Sequence, residues 1–213
     1  MNKNLRLIGK KNFFWDFDGV IKDSVEIKSN AYEELFLQWG PDVSNKVRDH
    51  HILNGGMSRF DKIPLYLSWT DENINDELIS KLCDNFSDLV KLKVINSPWV
   101  PGVVEYIKNL HKTGICSYII TATPQDEIIE ILNELNIHSF FKEIVGAPTK
   151  KSDAIKSILD KYKIHLNEAV MIGDSKSDFV AAKNNKIDFI LRRTNENIEL
   201  QNNTDTIKID NFS

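Results

Sequence analysis

Two aspartates, Asp16 and Asp18, close a run of bulky apolar side chains in "NFFWDFDGVIKDS", residues 12 to 24. Burying a carboxylate without a partner is costly or shifts its pKa, so such a pair either runs out into solvent or holds a cation. The rest of the chain decides between these. Two more acids, Asp174 and Asp178, sit in "MIGDSKSD" (171 to 178), Thr121 ends "ICSYIIT" (115 to 121), and Lys150 and Lys151 follow "GAPT". Carboxylates are the oxygen ligands that suit Mg²⁺, which keeps room for water and substrate phosphate. One carboxylate can attack phosphorus, and a second can give and take the proton of the leaving oxygen and of water. A lysine and a hydroxyl can neutralise and hydrogen-bond the transferring oxygens. Together these groups suit phosphoryl transfer.

The elements that must position them follow from periodicity. Phe13, Phe14 and Trp15 form a short apolar run that fits a fully buried strand, as do 115 to 121, 143 to 147 and 169 to 175, with "DFILRR" (188 to 193) a fifth. Helical spacing separates them. Ile128, Ile131, Leu132 and Leu135 share one face, as do Ala154, Ile155, Ile158, Leu159 and Tyr162, and Phe179 to Lys183 mark a shorter helix. Thr123, Pro124 and Asp126 read as an N-cap, a proline at the first helical position and a capping acid. Strands alternating with helices predict an α/β fold: a Rossmann-like parallel sheet with helices on both faces. In such a sheet ligands bind beyond the carboxyl ends of the strands, where the acids, Thr121 and the lysines fall.

Residues 25 to 95 break the alternation. Ile27, Ala31, Leu35, Phe36 and Trp39 define one helix face, ending at Gly40-Pro41, and Ile74 through Val90 define a longer one. The proline-rich "NSPWVPGV" (96 to 103) reads as a return linker. The expected layout is an α/β core at 1–22 and 96–213 with a helical cap domain at 23–95. The tail from Thr194 to Ser213 either finishes the sheet edge or trails loosely.

Composition bounds the class. The chain has 213 residues, 41% hydrophobic and 27% charged, with a net charge of −4, enough to bury a core. No basic block suggests nucleic acid, and no segment approaches 18 uninterrupted apolar residues or a leader, so the expected setting is cytoplasmic, without a membrane partner. Cys83 and Cys116 lie far apart and read as reduced thiols. Nothing here decides an oligomeric state.

"DFDGV", the strand ending in Thr121, the lysine after "GAP" and "MIGDSKSD" occur in the order of the four motifs of the haloacid dehalogenase-like (HAD) hydrolase superfamily, and the chain resembles its capped phosphatase and β-phosphoglucomutase-like members over residues 12 to 25 and 96 to 193. The resemblance implies Asp16 as nucleophile and Asp18 as general acid/base. It implies Mg²⁺ held by Asp16, the backbone carbonyl of Asp18 and Asp174, with Asp178 supporting or joining them. Thr121 and a lysine would bind the phosphoryl group, Lys151 by spacing, with Lys150 the alternative. An aspartate two residues after the nucleophile is missing from the dehalogenase members, since a halide leaves without a proton.

The cap segment "HHILNGGMSRFDK" (50 to 62) carries the substrate clues. Gly55 and Gly56 permit close backbone approach, Arg59 can clamp a second anion, and His50 and His51 are candidate polar contacts. The "GMSR" stretch resembles the cap segment of β-phosphoglucomutase-type members, where the arginine holds a distal phosphate. The expected function is a Mg-dependent phosphoric monoester hydrolase, working through an aspartyl-phosphate on a small sugar or sugar-acid phosphate. A sugar phosphomutase is the alternative, and a catalytically silent binding module the third reading.

Overall fold

The computed structural model describes residues 9–213; residues 1–8, part of the expected core and of the N-terminus expected to lack a leader, lie outside it. Six parallel strands form one sheet: β1 (Asn12–Trp15), β2 (Cys116–Pro124), β3 (Glu143–Ala147), β4 (Ala169–Gly173), β5 (Asp188–Arg192) and β6 (Ile207–Ile209), in the order β3-β2-β1-β4-β5-β6. This is the doubly wound order, with the switch point at β1, where successive connections leave toward opposite edges of the sheet. The central strands are buried on both faces, so their sequences are continuous apolar runs rather than alternating ones.

Two apolar layers cover the sheet. Phe14, Tyr118, Ile120 and Met171 pack on Ala154, Ile155 and Ile158 of α7 (Lys151–Tyr162) and Ala181 of α8 (Lys176–Asn184). On the opposite face, Phe13, Trp15, Ile119 and Ile172 join a larger cluster with α5 (Val103–Lys112), α6 (Gln125–Glu134) and the helices inserted after β1. Those helices are α1 (Val25–Phe36), α2 (Pro41–Leu53), α3 (Arg59–Leu67) and α4 (Asp76–Asn96). Pro41 sits in the first turn of α2, and Gly55 and Gly56 join α2 to α3. The two chain segments linking this insert to the sheet lie side by side: Lys22 and Trp99 form an antiparallel bridge, and Val100 donates its N–H to the Ile21 carbonyl at 3.0 Å.

Two details differ from, or complete, the sequence reading. The α6 helix starts one residue later than expected, because β2 continues through Pro124, which pairs with Ala147 of β3. Thr123 therefore does not cap the helix, and its hydroxyl turns to Asp18. The tail takes the first of its two alternatives: after α9 (Ile198–Asn203), β6 pairs with β5, and Phe212 packs against Trp15 and Tyr106. Cys83 and Cys116 are free thiols, and among the described residues no helix is long and apolar enough to cross a membrane.

Candidate active site

Asp16 follows β1 directly, held in the sheet's line by its own N–H donating to the Ile172 carbonyl at 2.9 Å. Its Oδ1 accepts from the Phe17 N–H at 2.8 Å, and its Oδ2 lies 2.7 Å from Lys151 Nζ. Lys151 reaches across to Asp178 Oδ1 as well, also at 2.7 Å, whereas Lys150 is exposed. Asp178 is fully buried in the first turn of α8, where its Oδ2 accepts from the N–H and hydroxyl of Ser175. That capping box fixes the loop carrying Asp174. Carboxylate oxygens of Asp16, Asp174 and Asp178 all lie within 4.8 Å of one another.

Three buried carboxylates with a single ammonium leave a surplus of negative charge, and the titration directions follow. Burial, then the charge of Asp178, push Asp16 up to about 7 against the pull of Lys151. Burial and the charges of Asp16 and Asp178 raise Asp174 well above the usual carboxylate range. Burial alone would lower Lys151, but Asp16 and Asp178 raise it above the ordinary lysine value. A cluster so starved of positive charge has the donor set of a hard divalent cation, all carboxylate oxygen with no histidine or thiolate.

Asp18 points into a different environment. Its Oδ1 accepts from Ser24 Oγ at 2.7 Å, and its Oδ2 accepts from Thr123 Oγ1 at 3.2 Å and forms an ion pair with Lys28. Burial raises its pKa, but Lys28 and these hydrogen bonds outweigh burial and hold it below the usual aspartate value. Thr121 is buried beside them, its hydroxyl accepting from the Thr123 N–H at 3.2 Å. Gly19 is indispensable here: its φ is +74°, and a Cβ would overlap Asp174 Oδ2.

The site opens into a cavity of about 520 Å³ whose far wall is the helical insert. Gly56 rests on the start of α8, where a Cβ would overlap the hydroxyls of Ser175 and Ser177. Arg59 is buried and forms a bidentate pair with Glu127 of α6, at 2.9 and 2.8 Å, while also contacting Ser87. The arginine expected to clamp a substrate anion thus has a carboxylate from the chain itself. His51 is buried against Tyr32 and sits 2.7 Å from Lys62 Nζ; His50 meets the Tyr66 hydroxyl at 3.1 Å.

Sequence reasoning missed three groups that shape the site. Lys28 and Lys62 looked like ordinary helix-surface lysines, although the first pairs with Asp18 and the second is fully buried. Asn197, in the asparagine-rich tail, donates to the backbone carbonyls of Asp174 and Arg192 at 2.7 and 2.8 Å. No local signal marks any of them, because what each one touches is set by the fold rather than by the residues flanking it.

Comparison with known proteins agrees with this architecture. A family model described as haloacid dehalogenase-like hydrolase matches residues 13–192. A phosphoglycolate phosphatase from Vibrio parahaemolyticus is 27% identical over 177 residues, covering 80% of this chain and 78% of that protein. One from Vibrio cholerae is 29% identical over 192 residues, covering 85% and 81%. Among solved structures, CbbY from Rhodobacter sphaeroides in complex with phosphate superposes with a TM-score of 0.77 at 16% identity, covering 95% of each chain. A β-phosphoglucomutase from Clostridium difficile gives 0.76 at 17% identity, covering 95% of this chain and 92% of that one. These two likenesses speak for the fold.

Proposed function

This chain belongs to the haloacid dehalogenase-like hydrolase family, and on that premise we propose that it is a Mg²⁺-dependent phosphatase that hydrolyses a small phosphorylated metabolite through an aspartyl-phosphate on Asp16. The observation that carries the reading is the charge-deficient cluster of Asp16, Asp174 and Asp178 at the switch point, with Lys151 bridging two of its members. Asp16, Asp174 and the Asp18 carbonyl, with Asp178 behind them, would hold the ion. When bound, Mg²⁺ supplies positive charge to the phosphoryl oxygens and favours the ionised form of the carboxylates around it.

The chain's own groups do the rest. Asp16 Oδ attacks phosphorus, and the P–O bond to the leaving oxygen breaks. Lys151 and Thr121 hold the phosphoryl oxygens, and Lys151 keeps Asp16 oriented from behind. Asp18 supplies the proton of the leaving alcohol and later takes one from the water that cleaves the acyl phosphate, regenerating Asp16 and releasing phosphate. In the arrangement seen here Lys28 holds Asp18 ionised, which is the state needed for the second step. Donation in the first step requires Lys28 to draw back, a movement that the insert, acting as a cap, is placed to make since Lys28 is on α1.

A small acid phosphate such as phosphoglycolate, or a sugar-acid phosphate, fits a cavity of this size. The mutase reading depends on a free cap arginine for a distal phosphate, and the Arg59–Glu127 pair supports hydrolysis instead. Phosphate release with Mg²⁺ from a panel of sugar phosphates, sugar-acid phosphates and phosphoglycolate tests the proposal. We expect turnover that EDTA abolishes and that Asp16→Asn lowers by at least ~10³-fold. Undiminished turnover in Asp16→Asn, or conversion of a hexose 1-phosphate without phosphate release, would sink it.

A further inference from the structure

Among the described residues four enclosed cations line the cavity, and three have carboxylates: Lys28 pairs with Asp18, Lys151 with Asp16 and Asp178, and Arg59 with Glu127. Lys62 does not. Its side chain is fully buried, and its partners are His51 Nδ1 at 2.7 Å, the Gly55 carbonyl at 3.5 Å and the face of the Tyr32 ring, 5.4 Å from Nζ to centroid. Among the described residues no carboxylate pairs with it. We propose that Lys62, positioned by His51, is the substrate-selecting residue of the helical insert, receiving a carboxylate carried by the same ester whose phosphoryl group meets Asp16. The inference rests on the phosphatase reading above and names the substrate class within it.

An ammonium has three donors, and a buried one without a counter-ion is unfavourable unless something completes it. His51 is neutral in this setting, since burial and then Lys62 hold its pKa well below 6.5, so Nδ1 accepts from Lys62 and the ring fixes Nζ in place. Burial, then Lys28 and Lys151, push Lys62 itself well below the ordinary lysine value, with only Asp18 opposing. An anion brought into the cavity reverses that imbalance. Charge balance favours a carboxylate over a second phosphate, because among the described residues lining the cavity Lys62 is the one enclosed cation without a carboxylate, Lys176 at the cavity's wall being exposed to solvent. The fork geometry that suits phosphate belongs to Arg59, which Glu127 already occupies.

The test compares the wild type with Lys62→Met, which keeps the chain's shape and removes the charge. With Mg²⁺, kcat/KM on phosphoglycolate is expected to fall roughly 10- to 100-fold through KM, the range for a lost charged hydrogen bond. The fall on p-nitrophenyl phosphate, which has no carboxylate, is expected to be at least about tenfold smaller. Equal losses on both esters, or a larger loss on fructose 1,6-bisphosphate than on phosphoglycolate, would overturn the proposal. Calorimetric titration of phosphoglycolate into Asp16→Asn, with and without Lys62→Met, reads the same contact without turnover. If no ester is hydrolysed by the wild type, the phosphatase reading fails. Weaker binding in the double variant still supports Lys62 as the carboxylate contact, and unchanged or absent binding overturns it. The unfolding midpoint of Lys62→Met should not drop, because the change removes a buried unpaired charge; a lowered midpoint with losses on both esters assigns Lys62 to folding and overturns selection.

Discussion

The two walls of the cavity carry opposite imbalances. At the sheet end, Asp16, Asp174 and Asp178 share one lysine; on the insert, Lys62 is buried with a neutral histidine and an aromatic face. Both arrangements are unfavourable by themselves, since a buried charge is stabilised only by a partner. Between the walls lies a third pattern, the Arg59–Glu127 pair, in which cation and anion already match. A missing partner has a sign, and the sign describes the ligand: a cation for the sheet end, an anion for Lys62, nothing for Arg59.

The largest change to this comparison comes from unbalancing the pair that is now matched. Glu127→Gln leaves the Arg59 guanidinium buried without a counter-charge, beside a neutral amide, Ser87 and the Phe86 ring, 4.7 Å from its centre. Stability should fall by about 3 kcal/mol, read as a lower urea midpoint, because an uncompensated buried charge is worse than no charge. The double variant Arg59→Met/Glu127→Leu should recover most of that loss. If Glu127→Gln costs no more than a surface substitution, the pair does not clamp the insert to α6 as the geometry indicates.

A smaller effect probes the sheet end. Gly19→Ala forces a side chain into the space of the Asp174 carboxylate at a positive φ. The backbone penalty is about 1–2 kcal/mol. Displacing a ligand of the acid cluster by about 1 Å should lower kcat about 100-fold, with a folded protein by circular dichroism. Retained kcat would mean that Asp174 tolerates displacement and that the cluster is not tightly organised.

The sheet end was legible because its signals are local. Asp16 and Asp174 each follow an apolar run that ends its strand, so the sequence alone puts them on one edge, and Asp178 follows as a first-turn acid. Thr121, expected to end its strand, lies inside β2 because the strand continues through Pro124. The insert was legible as a block of helices, since apolar faces such as Ile27, Ala31 and Leu35 recur at helical spacing. The pairings of its charges were not. Arg59 looked available because nothing near it in sequence reveals Glu127, 68 residues away. Lys28 and Lys62 look like solvated lysines until folding sets one against Asp18 and closes the other away from water. Thr123 misled in a different way: threonine before proline is a sound capping signal, and strand pairing between Pro124 and Ala147 overrode it.

His51, which holds Lys62, has the smallest effect on this balance. Burial, and then the positive charges of Lys62, Lys28, His50 and Arg48, bear on His51, so the folded protein binds a proton there only well below pH 6.5. The unfolded chain binds it near 6.5. Below that pH the unfolded state holds more protons, so stability falls as pH falls, by up to about 1.4 kcal/mol per pH unit for one such group until its folded pKa is reached. His50, lowered by burial and then Lys62, adds a slope of the same sign, whereas Asp16 and Asp174, held above the usual carboxylate range, bind protons in the folded state and add a slope of the opposite sign. Comparison with His51→Gln isolates the single group, because glutamine offers Lys62 an acceptor that does not titrate. Between pH 7 and pH 5 the wild type should lose about 1–2 kcal/mol more than the variant in urea unfolding. Parallel losses would mean that His51 accommodates a proton in the folded state, and the cationic wall of the cavity would then be less starved of negative charge than its packing indicates.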